Sequence, residues 1–153
     1  ILGNLILGEG NRAYNYYRKT LPIVQAHDPD VYKMEPYVYA EYVTSDDHPT
    51  FGQASHSWLT GSGVWMFRNA LDYILGVRPT YNGLMIDPCI PDTWDGFKLT
   101  RRFRGATYKI EIRNPNHVQK GIARLEIDGN VIECNVLPQV EEGGTAKVVC
   151  VMG

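Results

Sequence analysis

The spacing of apolar positions changes period near Pro79. Before it, the pattern is helical. Residues 1–7 form an apolar run that ends at Gly8, and Ala13, Tyr16 and Tyr17 recur at the three-to-four-residue spacing of one helix face. Asn11 is placed to cap a helix over 12–20. Arg18 and Lys19 fall in its last turn, where the helix dipole favours cations, and Pro22 stops it. Residues 26–58 hold few clean periods and are punctuated by Asp28-Pro29, His48-Pro49 and Gly52, which predicts loops. Helical spacing returns at Val64, Trp65, Phe67, Leu71, Ile74 and Leu75, with Gly76 as a C-terminal stop.

After Pro79 the period is two. Residues 97–104 alternate, as do Tyr108, Ile110 and Ile112 against Lys109, Glu111 and Arg113. Leu125 and Ile127 run into Asp128-Gly129, a strong two-residue turn signal, followed by Val131-Ile132; Ala146–Val151 closes the chain. These segments predict hairpins in an antiparallel sheet or small sandwich. The fold class is therefore mixed α and β, with helices over 1–79 and a β-sheet unit over 80–153.

Composition narrows the class. The 153 residues, 44% hydrophobic and 21% charged, can bury a real core and exclude a disordered or collagen-like chain. No apolar run reaches the roughly 18 residues of a membrane span. A net charge of −2 without a Lys/Arg stripe gives no footprint for nucleic acid. Cys89, Cys134 and Cys150 lie far apart, with no spacing for zinc, and predict three buried or semi-buried thiols in a reducing compartment. The start at Ile1-Leu2-Gly3, without Met and inside an apolar segment, suggests a piece cut from a larger protein.

Two segments could carry chemistry. In Trp58-Leu59-Thr60-Gly61-Ser62, Thr60 is placed to cap the helix that follows. A helix start offers free N–H groups and a positive dipole end, Gly61 allows close backbone approach, and the Thr60 hydroxyl adds a donor. The combination suits phosphate or sulfate, although most such helix starts serve only as a cap. In Met34–Tyr42, aromatics alternate with Glu35 and Glu41. Rings can cover the faces of a sugar and carboxylates accept its hydroxyls, so Glu35 and Tyr37 are candidate substrate-binding residues; a tyrosine-rich core edge is the other reading. No spacing sets Glu35 and Glu41 across a glycosidic bond as an acid/base pair. His48, His56, Asp46 and Asp47 lack the spacing of a metal site and predict surface loop positions, although His56 could approach an anion bound near Thr60.

Five blocks in order resemble one family: Glu35-Pro36-Tyr37-Val38-Tyr39, Trp58-Leu59-Thr60-Gly61, Tyr73-Ile74-Leu75-Gly76, Asp87-Pro88-Cys89-Ile90-Pro91, and Arg102-Phe103-Arg104-Gly105-Ala106-Thr107-Tyr108. Together they resemble the C-terminal part of the inverting disaccharide phosphorylases of glycoside hydrolase family 94. The resemblance implies the last helices of an (α/α)6 barrel over 1–79, followed by the sheet unit over 80–153. It implies reversible phosphorolysis of a β-linked disaccharide to an α-sugar 1-phosphate and a free sugar, with phosphate as co-substrate and no cofactor or metal.

Residue by residue, Thr60 and Gly61 match the family's phosphate-binding pair. Glu41 falls where the family usually has a phosphate-binding Gln, and a carboxylate there repels phosphate unless it is paired. His56 joins Glu35 and Tyr37 as substrate-binding. The general acid, an Asp in a tryptophan-containing motif, matches nothing here and is expected upstream, as are the phosphate-contacting Arg and His. The chain alone is therefore expected to be inactive. Implied partners are disaccharide, phosphate, the rest of the barrel and a second copy of the enzyme, in the cytoplasm. Phe67, Leu71, Ile74 and the residue 1–7 face are expected to lie uncovered without those partners. Two alternatives are a domain of a cyclic β-1,2-glucan synthase-like enzyme, and a non-catalytic carbohydrate-binding or interface module using sheet aromatics such as Trp94 or Tyr108.

Overall fold

A computed structural model describes residues 1–153. It is mixed α and β, mostly sheet with short helices, and its contacts gather into two units. One joins Ile1–Tyr14 with Asn69–Gly153, and the other is Asn15–Arg68.

In the first unit, helix α1 (Leu2–Ile6) buries Leu5 and leaves Ile6 and Leu7 exposed. Gly8, at φ 82, ends it. Helix α2 (Gly10–Lys19) begins one residue before Asn11, so Asn11 is not its cap. Its side chain instead exchanges hydrogen bonds with Asp92, at 2.6 Å to the carboxylate and 3.1 Å from the backbone N–H, while its own N–H donates to Gln119 Oε1 at 2.8 Å. A distant side chain thus satisfies an orphan donor of the first turn. Gly10 permits this approach, since a Cβ there would lie 2.3 Å from the Ile90 carbonyl oxygen.

The C-terminal part is built from two sheets. Strands β3 (Val77–Pro79) and β4 (Leu84–Ile86) pair antiparallel, and β9 (Val136–Leu137) adds to β4. The larger sheet contains β5 (Gly96–Phe103), β6 (Ala106–Arg113), β7 (Arg124–Ile127), β8 (Asn130–Ile132) and β10 (Thr145–Val151), in the order β5-β6-β10-β7-β8. The period-two pattern works as expected: Ala106, Tyr108, Ile110 and Ile112 point inward with Ala146, Val148 and Cys150 beside them in register. Full burial of one such aliphatic side chain is worth about 1.5–3 kcal/mol. Hairpins turn at Arg104-Gly105 and at Asp128-Gly129, each pair with φ positive at both residues, which matches the twist of the flanking strands.

One feature corrects the expectation of a purely antiparallel sheet. The last strand, β10, enters between β6 and β7 and runs parallel to β6. A parallel neighbour needs a long connection, so no local turn signal announces it. Tyr108 is also corrected as a sugar-binding candidate: it is 1% exposed, and its hydroxyl oxygen accepts from the Val140 N–H at 3.3 Å. Trp94 packs edge-on against Tyr14, with ring centroids 5.1 Å apart.

In the second unit, α3 (Pro22–Gln25) opens on Pro22, whose fixed φ suits a first helical position. A two-strand ribbon follows, β1 (Tyr42–Val43) against β2 (Ala54–Ser55), and then α4 (Ser62–Arg68). The helix expected to continue regularly to Leu75 gives way, within the first unit, to a π-helix over Asn69–Ile74, closed by the Leu75 N–H on the Ala70 carbonyl at 2.8 Å. In an α-helix, residues five apart lie about 140° apart around the axis. The wider turn lets Asn69 and Ile74 both be buried. Ile74 is therefore covered, contrary to expectation, as is Leu5, whereas Phe67 is exposed. No helix is long and apolar enough to cross a membrane.

Candidate functional site

The Thr60 hydroxyl stands at the entrance of α4. Its oxygen accepts the Ser62 N–H at 3.1 Å and lies 2.8 Å from the Ser62 hydroxyl. The carbonyl that receives the first helical bond belongs to Gly61, from Trp65 N–H at 3.2 Å. Gly61 is thus the N-cap, and Thr60 acts one residue earlier through a local turn, which corrects the expected cap. Beside Gly61 there is open space: a Cβ there would meet only the Trp65 ring, at 3.9 Å.

A cleft of about 280 Å³ opens beside this entrance, lined by Tyr37, Val38, Tyr39, Trp58, Thr60 and Gly63. Tyr37 and Trp58 are 70% and 71% exposed, which is unusual for large rings and suits a face that takes an apolar surface. Tyr39 also borders a second cavity of about 360 Å³, with Tyr32, Ser62 and Met66. Burial, followed by the neighbouring Tyr17 and Tyr32 hydroxyls, pushes the Tyr39 phenol above its usual range, so it stays a neutral hydrogen-bonding group.

The two carboxylates of the aromatic segment are both engaged. Trp58 Nε1 donates to Glu35 Oε1 at 3.2 Å. The backbone N–H of Glu35, then the Trp58 indole, hold this carboxyl below its usual range. Glu41 Oε2 lies 2.9 Å from His56 Nδ1, the two side chains being 43% and 55% exposed. A pair this open to solvent contributes about 0.2–1 kcal/mol at most. The His56 ring meets Tyr42 edge-on at 5.0 Å.

Two backbone angles mark the connecting loop. His56 and Trp58 have φ of 60 and 67, in the left-handed region. For a residue with a side chain this costs about 1–2 kcal/mol, and such strain collects at functional sites.

Of the residues singled out from sequence, Tyr37 and Thr60 line the cleft, Gly61 begins the helix beside it, and Glu35 reaches it through Trp58. Glu41 and His56 pair with one another and line no part of it. Trp58 and Tyr39 were missed as site residues, although Trp58 stands two positions before Thr60 inside the block already singled out. His48 Nδ1 engages Thr50 Oγ1 within its own turn at 2.9 Å. Nowhere do three or more His, Cys, Asp or Glu side chains gather. A larger cavity on the sheet face, about 670 Å³, is lined by Lys98, Lys109, Lys147, Glu111 and Asp128 among others, and by no aromatic ring.

Comparison with known families assigns two domains along the chain. Residues 1–76 match the glycosyl hydrolase 94 superfamily, catalytic domain, and residues 77–130 match the glycosyl hydrolase family 65, C-terminal domain. Residues 1–76 thus belong to the glycosyl hydrolase 94 superfamily.

Among its relatives is N,N'-diacetylchitobiose phosphorylase of Vibrio proteolyticus, 41% identical over 147 residues, which is 96% of this chain and 18% of the relative. The phosphorylase of the same name from Vibrio furnissii is 38% identical over 148 residues, 96% of this chain and 18% of the relative. Solabiose phosphorylase of Paenibacillus borealis is 38% identical over 148 residues, 97% of this chain and 19% of the relative. The chain thus spans less than a fifth of the length of these curated relatives.

Proposed function

We propose that this chain supplies part of the phosphate and sugar site of an inverting disaccharide phosphorylase. In the reaction, an oxygen of inorganic phosphate attacks the anomeric carbon of a β-linked disaccharide. The glycosidic C–O bond breaks, and a carboxylic acid outside these residues protonates the leaving oxygen. The products are an α-sugar 1-phosphate and a free sugar. Phosphate is already anionic, so no enzyme base is needed.

Thr60 and Gly61 hold the phosphate. The Thr60 hydroxyl rotates to donate to a phosphate oxygen while its lone pair keeps the Ser62 N–H. The α4 dipole favours the charge. Tyr37 gives a face for the sugar, while Glu35 and Glu41 reach the loop before Thr60 through Trp58 and His56. The observation that carries the reading is the cleft that sets Thr60 beside two exposed rings. Similarity to phosphorylases along nearly the whole chain supports it over a glucan-synthase domain or a binding module.

Residues 1–79 are then the end of an (α/α)6 barrel, and 80–153 a C-terminal sheet domain. The α4 side chains Val64, Trp65 and Phe67, each more than half exposed, support this, as faces that neighbouring barrel helices would cover. The enzyme works as a homodimer in the cytoplasm, where phosphate and sugar phosphates are retained.

The test is phosphate consumption by the full-length polypeptide carrying this chain, with chitobiose, cellobiose, laminaribiose and cellobionic acid. Sugar 1-phosphate should form with one of them. Thr60→Ala should raise the KM for phosphate roughly 10-fold or more, the weight of a hydrogen bond to a charged group. Hydrolysis without phosphate consumption would refute the proposal.

A further inference from the structure

The two carboxylates that the sequence offers as ligand-binding groups are both bonded to side chains of the loop before Thr60. His56 and Trp58 are the two strained residues of the loop before Thr60. Their side chains both reach back to the preceding segment, His56 to Glu41 at 2.9 Å and Trp58 to Glu35 at 3.2 Å, and Ser57 between them also engages Glu35. The coincidence is informative, because a left-handed residue relaxes unless its surroundings hold it. The backbone adds a third tie at one of these points: the Glu41 N–H is shared between the carbonyls of Ser55, at 3.3 Å, and His56, at 3.1 Å. His56 is therefore held by its carbonyl, by its ring nitrogen and by the edge of Tyr42. Trp58 has a single polar tie, Glu35, and otherwise projects into solvent.

Only Leu59 separates Trp58 from Thr60, and it is 67% exposed, with no packing of its own to fix the path. The path into Thr60, whose oxygen also takes the Ser62 N–H, therefore begins where Trp58 is held. Neither Glu35 nor Glu41 lines the cleft, whereas Trp58 and Thr60 both do.

Resting on the phosphorylase reading above, we propose that Glu35 and Glu41 are positioning residues whose carboxylates clip the strained 56–58 loop at Trp58 and His56, and so aim Thr60 at the phosphate. Their action on the ligand runs through these two side chains. This accounts for a glutamate at position 41, where the family pattern has glutamine: an amide oxygen and a carboxylate oxygen both accept from an imidazole N–H.

The experiment is a pair of double-mutant cycles in the full-length enzyme, Glu35→Ala with Trp58→Phe and Glu41→Ala with His56→Ala, beside Glu35→Gln and Glu41→Gln. The KM for phosphate, kcat and the thermal midpoint are measured for each. Each alanine variant should raise the KM for phosphate about 10-fold with a smaller change in kcat, and each double variant should be no worse than its worse single. The glutamine variants, which keep the acceptor and remove the charge, should stay within about 3-fold of wild type.

Additive effects within the pairs, or glutamine variants as damaged as alanine ones, would overturn the proposal, the latter because the charge itself would then act on the ligand. If the alanine variants do not fold, the glutamine variants and Trp58→Phe decide alone. If wild type performs no phosphorolysis, the function assigned above fails, and the thermal midpoints still judge the clips: non-additive midpoints support them and additive ones refute them.

Discussion

Glu35 carries a prediction that follows from its own bonds. Its carboxyl is held below the ordinary 4.5, first by its backbone N–H and then by the Trp58 indole. A depressed acid pKa means that the unfolded or released state binds the proton more readily. The stabilisation is therefore present above pH 4.5 and fades as pH falls through the lowered value. The group is exposed, so the effect on global stability is small, and the local indole is the better reporter. Trp58 fluorescence should change as pH drops below about 4.5, and Glu35→Gln should abolish that transition while leaving emission at pH 7 near wild type. At this scale the sequence made Thr60, Tyr37 and the Glu35 segment legible, because a hydroxyl before glycine and alternating rings are local patterns. The pairing of Glu41 with His56 was not legible, since 15 residues separate them and the ribbon of β1 and β2 brings them together.

Among the elements, the helix that begins at Ser62 shows how local rules and packing divide the work. Its start and its stop at Gly76 follow from residue type, whereas its π-wound second half does not. Gly76 has φ 64, and a Cβ would fall 2.2 Å from the backbone of Asp87. Here both the backbone angle and the close approach of the next segment require glycine. Gly76→Ala should destabilise the protein by about 2–4 kcal/mol, combining strain with a forced shift of packed backbone. The urea midpoint should fall with no change in slope. The two hairpins differ in the same way. Asp128-Gly129 announced itself, while Arg104-Gly105 sits inside a basic stretch whose alternation continues past the turn.

For the molecule as a whole, the placement of β10 governs the sheet unit, because the last strand of the chain lies between β6 and β7. Cys150 lies on its inner face at 0% exposure, and burial pushes its thiol from 9.0 up to about 12. Cys89 is likewise buried and raised, first by burial, whereas Cys134, expected to be at least half-buried, is exposed. Thiol labelling of the native protein at neutral pH should therefore modify Cys134 quickly, and Cys89 and Cys150 only on unfolding. A raised folded pKa also fixes the sign of the alkaline response. Stability is retained below pH 9 and is lost as pH rises toward 12, because the unfolded thiolate ionises first. The urea midpoint should drop between pH 8 and pH 10.5, and Cys150→Ala or Cys150→Val should flatten that drop.

The sequence by itself determined the change from helices to strands, the inward faces of β6 and β10, the turn at Asp128-Gly129, and the helix entrance carrying Thr60 and Gly61. Each is written within a few residues, in the period of apolar positions or in the backbone freedom of glycine. Only the tertiary structure decided that β10 lies parallel to β6, that Asn69 and Ile74 share a π-turn, that Asn11 serves Asp92 and Gln119 rather than its own helix, and that Glu35 and Glu41 each hold a strained residue. These depend on partners far apart in the chain, and no local pattern records which distant group will arrive to satisfy a donor, a charge or a strand edge.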